Sequence, residues 1–226
     1  MIIEFFSQYP YTLLTLFLLI FAFIFYLIRR DLWKSFWFAG VLTMFFGFFE
    51  LAYSQDYWHP SLLLSNSLSI EDFFICFAMG AIPAITYKVF LKLKNGDRVK
   101  KDYKRRYALI GVTVFLILWL GFNWVTPYAA SIGLLIVGLT IWFQRKDLRV
   151  GILGGAISFT LLYSLAFILT LQLVPNFVDS HWILEVLSGV RTFGVPVEEI
   201  LWAFPFGMCL GVAYEYVFKK TITHFK

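Results

Sequence analysis

Residues 69–91 read SIEDFFICFAMGAIPAITYKVFL, and residues 195–218 read VPVEEILWAFPFGMCLGVAYEYVF. Each is an apolar run long enough to cross a bilayer, since about 20 helical residues span a hydrocarbon core of roughly 30 Å. Each also opens on two adjacent acids, Glu71-Asp72 in one and Glu198-Glu199 in the other. Carboxyl groups at the mouth of a membrane helix are costly to keep, so their presence in both runs asks for a reason.

Working outward, comparable apolar runs occur at Tyr11–Ile28, Ser35–Tyr53, Ile70–Leu91, Tyr107–Trp124, Tyr128–Phe143, Val150–Leu173 and Val195–Phe218. They predict an all-α integral membrane fold with seven transmembrane helices. Tyr107–Phe143 has to hold two of them, joined by a tight hairpin at Asn123-Trp124-Val125-Thr126-Pro127. The composition agrees: 60% of residues are hydrophobic and the mean hydropathy is +0.77, well above a soluble domain.

The basic residues set the orientation. Arg29, Arg30 and Lys34 follow the first run, and Lys88, Lys92, Lys94, Arg98, Lys100, Lys101, Lys104, Arg105 and Arg106 follow the third. Arg145, Lys146 and Arg149 follow the fifth, and Lys219, Lys220 and Lys226 the seventh. Of 19 Lys and Arg, Arg191 alone falls on the other side. The positive-inside rule therefore predicts the N-terminus outside and the C-terminus cytoplasmic, with the multi-pass chain in the cell membrane. The net charge of +5 reads as these topogenic loops against anionic lipid, and no nucleic-acid partner is expected. No cleavable signal is expected either, because Met1–Pro10 lacks a basic start. Cys76 and Cys209 fall inside predicted helices and read as small packing residues.

Polar landmarks recur in order. Arg30-Asp31-Leu32 matches Lys146-Asp147-Leu148, Asp56-Tyr57-Trp58-His59 matches Asp179-Ser180-His181-Trp182, and Glu71-Asp72 matches Glu198-Glu199. Tyr87-Lys88-Val89-Phe90 then echoes Tyr214-Glu215-Tyr216-Val217-Phe218. This order predicts two parallel three-helix repeats, residues 1–95 and 127–226. Residues 96–126, a basic loop and a connector helix, join them. A shared site would lie between the halves.

Ser69-Ile70-Glu71-Asp72 has the form of a capping box, and Pro196 suits a first helical turn, so either motif alone reads as a cap. Together they suggest more. Neighbouring helical residues point about 100° apart, so one acid of each pair can face the bundle interior. Two carboxyls meeting in an apolar cleft have their pKa values raised or split, which suits a Brønsted acid and base near neutral pH. Glu50 is either a third acid or an interfacial residue. Arg191 can pair with a carboxylate on its side or stay solvated. His59 and His181 read as interfacial residues, and Lys88 with Glu215 as a structural ion pair.

Gly194-Val195-Pro196-Val197-Glu198-Glu199-Ile200-Leu201-Trp202 resembles the P-x-E-E motif of the integral-membrane lycopene cyclase domain family. Trp58 and Trp182, each with an Asp before it and an acidic motif after it, are similar to the family pattern too. The resemblance covers nearly the whole chain as two tandem copies. The first copy departs, with Ser69 in place of the proline and Asp72 in place of the second glutamate. The resemblance implies a lycopene-type carotenoid end-group cyclase, a redox-neutral isomerase that protonates a terminal alkene, closes a ring and removes a proton. It implies catalytic roles for Glu71, Glu198, Glu199 and Asp72, with Glu71 and Glu198 facing a shared cleft. Trp58, Trp182, Trp202 and Glu50 are implied as substrate-binding. Its partners are a linear carotenoid and membrane lipid, with room for association with other enzymes of the carotenoid pathway.

No cofactor or metal is expected: the chain lacks G-x-G-x-x-G, and its histidines have no zinc-site spacing. A CAAX-type protease would need an Arg where Trp202 stands, and a polyprenyl transferase a D-D-x-x-D run. The alternative from another class is a non-catalytic carotenoid- or lipid-binding protein, or a small-molecule transporter of related architecture.

Overall fold

The computed structural model describes residues 2–64, 68–99 and 103–224. Of the positions named above, Met1, Lys100, Lys101 and Lys226 lie outside the described residues. The chain is a multi-pass helical bundle. Helix α1 is Pro10–Ile28. Helix α2 is Trp33–Met44, extended by a 3-10 turn over Phe45–Phe49 and a short helix over Glu50–Asp56. Helix α3 is Ile70–Phe90 and α4 is Leu109–Leu116. Helices α5 and α6 are Thr126–Gln144 and Arg149–Leu173. Helix α7 is Val197–Leu210, continued by Ala213–Phe218.

Six of these units are long and apolar enough to cross a membrane; the one built around α4 is shorter. Its helical stretch, Arg106–Gly121, rises about 24 Å at 1.5 Å per residue, less than the hydrocarbon core of roughly 30 Å. The predicted Tyr107–Trp124 run stops early for a local reason. Its last turn widens to a π-helix over Ile117–Gly121, and Asn123 takes a positive φ of 52°. The Trp124 amide then turns back onto the Leu118 carbonyl at 3.0 Å. The sequence also gave no hint of strands, yet β1 (Leu93–Arg98) pairs antiparallel with β2 (Lys220–His224). Lys92 and Lys219 adopt positive φ at the two helix exits, and each turns its chain into a strand.

Helices α3 and α7 are the inner ones, with 72% and 61% of their apolar windows buried against 33–39% for the other four spans. Helix α3 packs on α1 and α2, α7 packs on α5 and α6, and α3 also meets α6. Glycines permit close crossings: a Cβ on Gly155 of α6 would stand 2.6 Å from the Gly207 carbonyl of α7. Small residues at such contacts suit lipid, where packing replaces the hydrophobic effect between helices. Leu161, Phe143 and Leu120, by contrast, are exposed on the outer faces.

The basic end is tied together by buried polar groups. Lys88 and Glu215 form the expected ion pair at 2.5 Å, with both side chains essentially inaccessible. Arg29 chelates Asp31 and donates to the Leu93 carbonyl at 2.8 Å. Arg145 chelates Asp147 and donates to the Lys220 carbonyl at 2.6 Å. One pattern thus anchors each strand to the helix-to-helix turn of its own half. On the opposite end Arg191 pairs with Asp179 at 2.5 Å.

Candidate functional site

At the end of the bundle opposite β1 and β2, the chain folds over the helix mouths, with Arg191–Thr192 paired antiparallel to Val195–Pro196 just before α7. The Trp58 and Trp182 segments form an antiparallel bridge. The His59 amide donates to the His181 carbonyl at 2.6 Å, and the Ile183 amide to the Tyr57 carbonyl at 3.0 Å. The two indoles lie 5.1 Å apart. Beneath them is a half-open chamber of about 120 Å³, walled by residues of both halves including Tyr11, Glu50, Tyr163, Glu199 and Trp202. No Lys, Arg or His is among the described residues that line it.

Glu199 enters from the first turn of α7 and is 6% exposed. Both of its oxygens are met: Tyr163 donates to Oε2 at 2.6 Å, and the Trp182 indole to Oε1 at 3.1 Å. A buried Tyr or Trp normally finds such a partner, and here both choose the same carboxyl. Glu50 reaches the chamber from the short helix after the 45–49 turn and is 7% exposed. The Trp58 indole stands beside it, but Oε1 has no partner. Asp72 sits just behind the wall, next to Glu50 and the Tyr11 hydroxyl. Its Oδ2 accepts the Ser69 amide at 2.6 Å, the return half of the capping box, and Oδ1 is unpaired.

Glu71 and Glu198 were expected to face each other across one cleft, and neither lines this chamber. The rotation of about 100° between neighbours turns the first acid of each pair away as it turns the second inward. Glu71 receives the Thr12 hydroxyl, the Leu63 amide at 2.8 Å and the Ser69 hydroxyl at 2.9 Å. Glu198 receives the Tyr128 hydroxyl at 2.8 Å and the Ser188 amide at 2.7 Å. Each thus ties the loop before its helix to the first helix of its own half. Glu198 Oε2 stays unpaired beside a separate groove of about 790 Å³.

The remaining expected residues are brought together. Trp58, Trp182 and Trp202 all line the chamber, with Trp202 stacked 4.7 Å from Phe206. Tyr11, Tyr57, Tyr163 and Cys76 also line it and were not expected at the site from sequence, where Cys76 reads as a packing residue. A tyrosine inside an apolar run needs a hydroxyl partner, and that was the available signal for Tyr163. His181, half-buried above the chamber, shares hydrogen bonds with Ser61 and Ser180 at 3.0 Å each. Burial holds its imidazole below the ordinary histidine value, against the opposing Phe177 carbonyl. Among the described residues no group of three His, Cys, Asp or Glu side chains is arranged to hold a metal ion.

These features define a helical membrane protein with an acid- and aromatic-lined chamber between its halves. Residues 123–217, which hold α5, α6, α7, Tyr163, Trp182 and the Glu198-Glu199 pair, match the lycopene cyclase family model. Comparison with curated proteins and with solved structures finds no match.

Proposed function

We propose that this protein is a carotenoid end-group cyclase working by proton transfer inside the membrane. Its arrangement is read as two parallel three-helix repeats, residues 1–95 and 127–226, with residues 96–126 between them and the basic end in the cytoplasm. The matching Arg29–Asp31 and Arg145–Asp147 clamps support the duplication. The observation that carries the reading is the chamber itself, which gathers carboxyls from both halves under two tryptophans.

In the proposed reaction Glu50 gives its proton to the terminal double bond of a linear carotenoid, and the resulting cation closes a six-membered ring. Glu199 then takes a proton from the ring carbon next to the new cation, and the product is an isomer of the substrate. The division of roles follows the hydrogen bonds. Glu199 has a donor at each oxygen, an arrangement suited to a carboxylate. Glu50 lines the chamber with Oε1 free of any partner. Asp72, beside Glu50, supports the acid, and Glu71 and Glu198 hold the helix mouths in register. Trp58, Trp182 and Trp202 offer ring faces to the cation, with tryptophan the strongest such partner.

The test is ring formation in a lycopene-accumulating host, with pigment retained by the purified protein as a second readout. Glu199→Gln is expected to cut ring formation by roughly 10²- to 10⁴-fold, the usual range for a general acid or base. Glu198→Gln keeps an oxygen acceptor and is expected to lose far less. Full activity in the Glu199→Gln protein removes that residue from the chemistry, and pigment retained without rings in the wild type makes the protein a binder.

A further inference from the structure

The chamber is too small for its proposed substrate. A cavity of about 120 Å³ is smaller than the ~150 Å³ void that takes a single benzene ring, so it encloses at most the tip of an extended polyene. The remainder of such a molecule has to leave through the wall. Two apolar cavities adjoin. The larger, beside Glu198, shares only Pro127 with the chamber and also carries Asn123, Ser131 and Thr160.

The other, of about 180 Å³, lies between the 45–49 turn, α4, α5 and α7. It shares three wall residues with the chamber, Phe46, Trp202 and Phe206. Its lining contains no charged or hydroxyl side chain and includes Phe49 and Phe115. On its outer side Phe46, Phe49 and Val112 are 39%, 41% and 49% exposed. The cleft is therefore open toward the lipid face and shares its inner wall with the chamber.

We infer that this cleft is the polyene channel. A linear, conjugated hydrocarbon enters sideways from the bilayer between α4 and the 45–49 turn, lies along Phe49, Phe115 and Phe46, and places its end group beside Glu50 and Glu199. Helix α4 is then a wall of the substrate site as well as a connector, and its shortness leaves the cleft open. This rests on the cyclase reading only for the identity of the end-group chemistry; binding of the polyene is separable from it.

Two lipid-exposed positions give a matched comparison. Val112→Trp places an indole in the proposed channel, and Leu135→Trp places one in the groove beside Glu198. Lycopene retained by the purified protein and rings formed in the host are both measured, with gel filtration reporting the fold. Val112→Trp is expected to lower both at least tenfold while Leu135→Trp leaves them unchanged. The reverse pattern, or no effect of Val112→Trp, overturns the channel. A wild type that retains lycopene without closing rings refutes the cyclase reading alone, and retention in the Val112→Trp protein still judges the channel. A wild type that does neither removes both. Should Val112→Trp fail to fold, Val112→Cys serves: lycopene loading is expected to slow its labelling by an apolar thiol reagent severalfold over the Cys76 and Cys209 background, and unchanged labelling overturns the channel.

Discussion

Replacing Lys88 with Met tests the joint between the halves. The ammonium donates to Glu215 Oε1 at 2.5 Å, to Asn95 Oδ1 at 3.1 Å and to Ser35 Oγ at 3.2 Å. It thereby links α2, α3, β1 and the last helix. Methionine is unbranched and adaptable, so the change removes charge with little change of packing. Glu215 is left with the Ser35 hydroxyl at 3.2 Å, and its Oε2 is already unpaired. Breaking one side of a buried pair costs about 3–5 kcal/mol, whereas replacing both partners with apolar groups is often neutral. Lys88→Met and Glu215→Leu are therefore each expected to destabilise by about 3–5 kcal/mol, and the double variant to lie within about 1 kcal/mol of the wild type. Equilibrium unfolding in mixed micelles, followed by tryptophan fluorescence, yields the coupling through a double-mutant cycle. Single variants costing under about 1 kcal/mol each, with additive effects, refute the reasoning, because a pair this buried cannot be both isolated from water and dispensable.

Two further outcomes are expected. Tyr163→Phe removes the donor to Glu199 Oε2 and leaves the Trp182 indole alone on that carboxyl. A hydrogen bond to a charged group is worth about 1.5–3 kcal/mol, so ring formation is expected to slow roughly 10- to 100-fold, and a wild-type rate would argue against Glu199 acting as a carboxylate. The lowered His181 pKa means that the unfolded chain binds the proton more readily than the folded one. Stability is then complete above the unfolded value of about 6.5 and declines as the pH falls below it. Melting temperature measured from pH 7.5 to 5 should show this slope in the wild type and lose part of it in His181→Gln; identical slopes would exclude His181 as its source.

How far the sequence reached depended on which physical signal each feature leaves. Apolar runs gave the spans, and the helix in the Tyr107–Trp124 run ends sooner than its hydropathy implies, because hydropathy is blind to a π turn and a left-handed Asn123. The tryptophans were legible because each sits in a repeated polar setting, and the structure lays Trp58 on Trp182. The strands and their clamps left no such signal. Matching by charge type picked Arg30 and Lys146, whereas the clamping residues are Arg29 and Arg145, whose extended φ of −133° and −127° aims each side chain back at its Asp. In the acid pairs it was the facing residue that the sequence left open. Two adjacent carboxyls look equivalent in a sequence, and the choice between them depends on the rotation at which the helix begins.

That rotation also bears on why both halves are needed. The family match stops at residues 123–217, yet the chamber takes Glu50, Tyr11 and Trp58 from outside that segment. Within it, Glu199, Tyr163 and Trp182 form a complete hydrogen-bonded group without a second acid facing them. The first half lacks a glutamate at the position of Glu199, where Asp72 is one methylene shorter and is bound back to Ser69. An acid therefore has to reach the chamber by another path, and Glu50 does so from the end of α2 and its 45–49 turn. In the proposed chemistry the halves have diverged into unlike partners, one supplying a free carboxyl and the other a carboxyl held by two donors. A segment holding only residues 123–217 keeps the second and loses the first, and expressed alone it should form no rings.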